Sequence, residues 1–124
     1  FKMYATKLPE PNGCNLRTYV SKEFWGPYTE LYVDEYPRCR ARMAGHFIIN
    51  DGKLIRPAQD CNGAYGKAVI FYDDHTEVSE IRPSSYKYAG VHTFNKLNEI
   101  GVIDIKKYDY PLLVYIKNKI KILK

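Results

Sequence analysis

The dipeptide Asp51–Gly52 stands between two β-prone runs, Met43–Asn50 and Lys53–Pro57. An Asp-Gly pair accepts the positive φ angles of a two-residue turn, so this stretch predicts a β-hairpin. The same rhythm continues downstream. Cys61–Tyr65 (CNGAY) reads as a turn, Gly66–Tyr72 as a strand, and Asp73–His75 turns the chain into a further strand over Glu77–Ile81. Four strands with short connections predict an antiparallel meander, the unit that makes one blade of a β-propeller.

The flanks follow suit. Lys2–Thr6 alternates apolar and polar residues, Leu8–Gly13 (LPEPNG) marks a turn, and Leu16–Lys22 and Tyr28–Val33 read as strands around the aromatic turn Glu23–Pro27. Asp34–Arg40 reads as irregular. After a loop over Arg82–Gly90, strands are expected over Val91–Asn95, Gly101–Ile105 and Leu112–Ile122. The best helix candidate, Thr93–Ile100, is too short to rank above loop. The chain thus reads as all-β, built from antiparallel four-stranded meanders and β-propeller-like, with about two blades. Residues 1–40 would end one blade, 41–83 form a complete one, and 84–124 supply closing strands.

Composition agrees with strands. Aromatic residues make up 15% of the 124, twelve of them tyrosine, and such rings suit a half-buried pleated surface. No apolar run is long enough to span a membrane. No signal peptide is visible, and Phe1 in place of methionine suggests a processed, truncated or partly observed chain, which leaves room for a targeting segment upstream. Six lysines and one acid fall between Lys106 and Lys124, a net +5 that equals that of the whole chain. The alternation of IKNKIKILK reads as an edge strand with one lysine-bearing face; an electrostatic surface for nucleic acid or anionic lipid is the other reading. Cys14, Cys39 and Cys61 form no CxxC pair and no zinc spacing. One disulfide plus a free thiol fits, and so do three reduced thiols in a cytoplasmic setting, the favoured reading. No cofactor or metal is expected. Phosphate-loop, dinucleotide, zinc-protease and serine-hydrolase motifs are absent.

Five pieces carry a resemblance: EFWGPYTEL (Glu23–Leu31), RMAGHFIINDGKLIRPAQDC (Arg42–Cys61), YGKAVIF (Tyr65–Phe71), GVHTFN (Gly90–Asn95) and VID (Val102–Asp104). Together they resemble the β-propeller domains related to the N-terminal domain of plant glucosamine inositolphosphorylceramide transferase, whose fold is similar to five-bladed glycoside hydrolase propellers. Met43 stands where the family pattern has proline. The resemblance implies the C-terminal part of such a propeller. It also implies an active site whose first carboxylate lies in an earlier blade, so that this chain alone would not assemble the whole constellation. It further implies a carbohydrate or sugar-phosphate ligand, and a partner domain or subunit that completes the propeller.

The candidate residues can be read on their own chemistry. Asp60, at a strand end, could act as a base or hold a sugar hydroxyl, with Glu80 as the second carboxylate that glycosidases need; it could equally cap the CNGAY loop. Arg42 and Arg56 fall near the same end of the Asp51–Gly52 hairpin. They could grip an anionic or polyhydroxylated ligand, or pair with Asp60 or Glu80. His92 is a candidate acid/base and Asn95 and Gln59 candidate hydroxyl ligands; a backbone-bonded structural histidine is the plain alternative. Trp25 could stack on a sugar, but plugging a gap between blades is favoured. A Cys61–His92 nucleophile has little to support it. His46 and His75 read as a strand and a turn residue without a role. Two functions compete: part of a carbohydrate-active enzyme, or a non-catalytic module that completes a propeller with a partner. A nucleic-acid binder is disfavoured because the positive charge is confined to the tail.

Overall fold

The computed structural model describes residues 1–7 and 13–122; most of the LPEPNG turn expected from sequence lies outside them. Nine strands and one helix follow one another along the described chain. Strands β1 (Lys2–Ala5), β2 (Asn15–Val20) and β3 (Thr29–Glu35) form a three-stranded antiparallel sheet, and a 3-10 turn at Pro37–Cys39 leads out of it. Strands β4 (Ile48–Asn50), β5 (Lys53–Asp60), β6 (Ala68–Asp73) and β7 (Thr76–Ile81) form a four-stranded sheet in sequence order, the meander expected. Strands β8 (Tyr88–Leu97) and β9 (Ile100–Lys107) pair as a long hairpin, and α1 (Pro111–Ile122) follows. The architecture is all-β and antiparallel.

The Asp51–Gly52 turn is as its residues require. Asp51 and Gly52 both have positive φ, 49° and 75°, and Asn50 pairs with Lys53 across the turn. The strand expected over residues 43–50 is shorter, because Gly45 (φ 152°) breaks it where its backbone meets the carbonyl of Phe94. Residues 42–44 instead lie against the far half of β5, through Ala44 N–H to the Pro57 carbonyl (3.0 Å) and Gln59 N–H to the Arg42 carbonyl (2.8 Å). Pro57 lacks an N–H, yet it costs the ladder nothing on this side, since only its carbonyl is used.

The core follows from the two-residue period of β6. Ala68, Ile70 and Tyr72 face one way and pack with Leu16, Tyr36, Ala41 and Ala58. Val69 and Phe71 face the other way and pack with Ala44, Ile55 and Val91. The four-stranded sheet is therefore a middle layer, with β1–β3 on one face and β8 on the other.

Three expectations need correction. The stretch 112–122 is helix, not edge strand. Lysines two apart mimic a strand, but Leu112, Ile116 and Ile120 recur at four-residue steps, and Pro111 is preorganised for a first helical turn. Residues 93–100 are neither loop nor helix: they close the β8–β9 hairpin, with Asn98 at φ 52° in its turn. The cysteines are not all reduced. Cys14 and Cys39 are joined as a disulfide, and Cys61 is the free thiol among the described residues. The β2 start and the 3-10 turn meet there, as the Tyr36 N–H to Cys14 carbonyl bond (2.9 Å) shows. No helix among the described residues is long and apolar enough to cross a membrane.

Candidate functional site

Asp60 is the last residue of β5 and 1% exposed. A carboxylate taken out of water must be hydrogen-bonded and charge-paired to stay ionised. Its Oδ1 accepts the Asn62 N–H at 3.0 Å, and its Oδ2 accepts Arg82 Nη2 at 3.0 Å and Arg40 Nη2 at 3.3 Å. It therefore caps the loop after β5, and its cationic partners are Arg40 and Arg82, not Arg42 or Arg56. Arg40 also donates to Glu77 (2.6 Å). Arg82 also holds both Glu80 oxygens, through Nη2 at 3.0 Å and Nε at 3.2 Å.

One nitrogen, Arg82 Nη2, thus touches both candidate carboxylates. The two oxygens therefore lie no more than twice 3.0 Å apart, no farther than the carboxyl groups of a glycosidase pair, which are about 5 to 9.5 Å apart. The electrostatics differ from such a pair. Burial would push Asp60 up, but the bonds from Arg82 and the Asn62 amide and the field of Arg40 outweigh it and hold the carboxyl below its ordinary 3.8. Glu80 is held below its ordinary 4.5, first by its bond to Arg82. Arg82 is raised in turn by Glu80 and Asp60. Neither carboxyl keeps a proton at neutral pH, so neither is poised as a general acid.

Both groups have depressed values in the fold. Their contribution to stability is present above their unfolded values and is lost as pH falls through the folded ones. Denaturant midpoints are thus expected to hold from neutrality to about pH 5 and to drop below it. The drop should be smaller in Asp60→Asn, and an equal drop in both proteins would remove Asp60 from the explanation.

A second cluster lies on the other face of β5. Gln59 is buried, donates Nε2 to the His92 carbonyl (3.1 Å) and accepts the Cys61 thiol at 3.8 Å. His92 is the extra residue of a bulge in β8, and bulges re-aim side chains. Its Nδ1 is 3.3 Å from Asp104 Oδ2 on β9. Its Nε2 is covered and has no hydrogen-bond partner among the described residues. Tyr65 meets the His92 ring edge-on at 4.8 Å between centroids, and the Arg42 guanidinium sits over Tyr65 at 5.2 Å. Gly66 is required here, since a side chain would strike the His92 ring. Burial raises the Cys61 thiol, which keeps it protonated and disfavours the Cys–His nucleophile. The structure therefore gathers Arg42, Gln59 and His92 and adds Tyr65 and Asp104.

Other candidates stand apart. Asn95 is a structural ligand: its Oδ1 accepts the His46 N–H (3.2 Å) and faces His46 Nδ1 (2.9 Å), which fixes a bend rather than a strand at His46. Trp25 is 88% exposed and touches Phe24 edge-on, so it plugs no gap among the described residues. Arg56 is buried between the rings of Tyr36 and Tyr72. His75 stacks on Tyr36 and approaches Asp34 at 3.8 Å. No group of three or more His, Cys, Asp or Glu among the described residues could hold a metal ion. Arg82 was findable from sequence, because it stands two residues past Glu80, just beyond the end of β7, where the two-residue period still turns both side chains to one side. Arg40, Tyr65 and Asp104 carry no such local signal.

Fold and site together define an antiparallel β segment with an arginine-bridged carboxylate pair and a histidine-containing aromatic cluster. In sequence it is similar to glucosamine inositolphosphorylceramide transferase 1 of Oryza sativa subsp. japonica, with 29% identity over 96 residues, 74% of this chain and 11% of the relative. The protein of the same name from Oryza sativa subsp. indica is 33% identical over 67 residues, 54% of this chain and 8% of the relative. The chain thus spans about a tenth of the length of the curated relatives it matches. No protein-family model matches it, and no solved structure does.

Proposed function

We propose that this chain is a glycan-associated β-propeller segment of a carbohydrate-active protein, glycoside-hydrolase-like in fold, which holds a sugar conjugate and does not cleave or transfer it alone. The similarity to glucosamine inositolphosphorylceramide transferase 1 supports the ligand class. The observation that carries the non-catalytic part is the Arg82 bridge: it keeps Asp60 and Glu80 both ionised, so the pair lacks the protonated acid that glycoside chemistry needs. The Arg42–Tyr65–His92 cluster supports the ligand class too, through the half-exposed Tyr65 ring and the Arg42 guanidinium beside it.

The test combines turnover and binding. Aryl glycosides should be hydrolysed no faster than in a buffer blank. Titration with glucosamine or inositol 1-phosphate should shift the amide signals of Gln59, Tyr65 and His92. Tyr65→Ala should weaken that binding about five- to tenfold, the worth of one lost stacking contact. Hydrolysis that disappears in Asp60→Asn would instead make the pair catalytic.

One observation favours a second reading. All eight residues of β9 are exposed, including Ile100, Val102, Ile103 and Ile105, and its outer edge has no strand partner among the described residues. Such an edge is a template for pairing. In that reading the chain is a non-catalytic module that completes a propeller with a partner domain or subunit. Absent sugar binding, together with formation of a complex through β9, would favour it.

A further inference from the structure

Helix α1 carries an apolar face that the rest of the described chain leaves uncovered. At 3.6 residues per turn, Leu112, Ile116 and Ile120 fall along one line of the helix, and Leu113 lies beside it. These four are 60%, 45%, 53% and 64% exposed. Single exposed apolar side chains are ordinary; four on one helix face form a patch. The other side of the helix is the one that packs. Val114, Tyr115 and Asn118 line a cavity of about 250 Å³ together with Tyr86 and Tyr108. The Tyr115 and Tyr86 rings meet at 5.2 Å between centroids. That contact holds α1 on the protein and turns the leucine–isoleucine line outward.

Lysines border this line on both sides. Lys119 stands seven residues past Leu112, almost two full turns on, and rests over the Tyr115 ring at 5.8 Å. Lys117 stands four residues past Leu113, on the other border. Lys107, at the end of β9, is opposite Tyr88, which lines the same cavity as the helix. All three lysines are exposed. Unlike Lys53, which Asp73 holds, none of them has an ion-pair partner among the described residues. An apolar groove on another protein would cover the line and leave the lysines unmatched. A nucleic acid would meet the lysines and leave the line in water. An anionic bilayer meets both: the leucine and isoleucine side chains enter the acyl boundary, and the lysine stems carry their charge up to the headgroups. Tyr110, 71% exposed just before the first turn, suits the same boundary, where rings with one polar end collect.

We propose that α1 lies along the surface of a bilayer that contains anionic lipid, apolar line inward and lysines at the headgroups, and so holds the chain against a membrane. Its 12 residues are too few to cross one. The inference rests on the helix and the lysine beside it. It uses none of the residues of the Arg82 bridge or of the Arg42–Tyr65–His92 cluster, and Tyr65→Ala leaves it untouched.

Cosedimentation of the 124-residue chain with vesicles tests it. Vesicles of phosphatidylcholine with about one third phosphatidylserine should bind the chain saturably, and vesicles of phosphatidylcholine alone at least about tenfold more weakly. The difference should shrink as salt is raised. Lys117→Gln with Lys119→Gln should weaken binding to the phosphatidylserine vesicles by about fivefold per lysine. Leu112→Gln, Ile116→Gln and Ile120→Gln together keep every charge and should abolish it. Glutamine is as good a helix former as leucine, and all three side chains are exposed, so the circular dichroism and the melting temperature of this variant should match those of the parent. No saturable binding to the phosphatidylserine vesicles, equal binding to both kinds of vesicle, or unchanged binding in the triple glutamine variant would each overturn the proposal. Tighter binding to a single-stranded polynucleotide than to the phosphatidylserine vesicles would overturn it in favour of a nucleic-acid surface, and a dimer that the triple glutamine variant dissolves, without vesicle binding, would assign the face to a second copy of the chain.

Discussion

Asp60→Asn is expected to lower the stability of the fold by about 3 kcal/mol, at the lower end of the range for breaking a buried ion pair. Asparagine keeps the shape and can still accept the Asn62 N–H. What is lost is the charge that Arg40 and Arg82 meet at 3.3 and 3.0 Å in a site only 1% exposed. Arg40 retains Glu77 and Arg82 retains Glu80, so neither cation is stranded, and the loss stays below the full penalty of an unpaired buried charge. For a chain of this size the melting temperature should fall on the order of 10 °C. A shift of only a degree or two would mean that the network is solvated and adds little, as exposed ion pairs do.

Ile70→Ala should cost about 3 to 4 kcal/mol, by loss of buried apolar surface and by the cavity left behind. Ile70 is fully buried at the centre of β6. Its neighbours in that core, Leu16, Tyr36, Ala41 and Ala58, come from the first sheet, the crossover segment and β5. They cannot collapse together into the gap without moving whole strands. The same change at Val78 of β7, which is half exposed, should cost under about 1 kcal/mol. Urea unfolding of both variants measures the contrast, and equal losses would mean that β6 is not the middle layer of the packing.

The parts of the structure that were legible in the sequence are those set by neighbours along the chain. The Asp51–Gly52 turn, the four-strand meander and the placement of Asp60 at a strand end depend on local φ preferences and a period of two. The tail misled because Lys117, Lys119 and Lys121 alternate like a strand face; the four-residue recurrence of Leu112, Ile116 and Ile120 behind Pro111 was the signal that mattered. The cystine is not legible locally, since Cys14 and Cys39 are 25 residues apart and it is the three-stranded sheet between them that brings them together. The site divides along the same line. Arg42, Gln59 and His92 do converge, but Tyr65 and Asp104 join them through a loop and a cross-strand contact. Asp60 and Glu80 were paired from sequence, and their distance was not legible there. It is fixed by Arg82, which lies two residues past Glu80 and reaches across the end of the sheet.

The proposed non-catalytic role depends on Arg82 keeping both Asp60 and Glu80 ionised, without a proton to give. The measurement that tests it most directly is a carbon NMR titration of the Asp60 and Glu80 carboxyls between roughly pH 2 and pH 8. Both carboxyls are expected to titrate below their ordinary values of 3.8 and 4.5. A midpoint for either one well above 4.5 would contradict it, because a protonated acid would then stand beside an ionised carboxylate, the couple that hydrolyses a glycosidic bond.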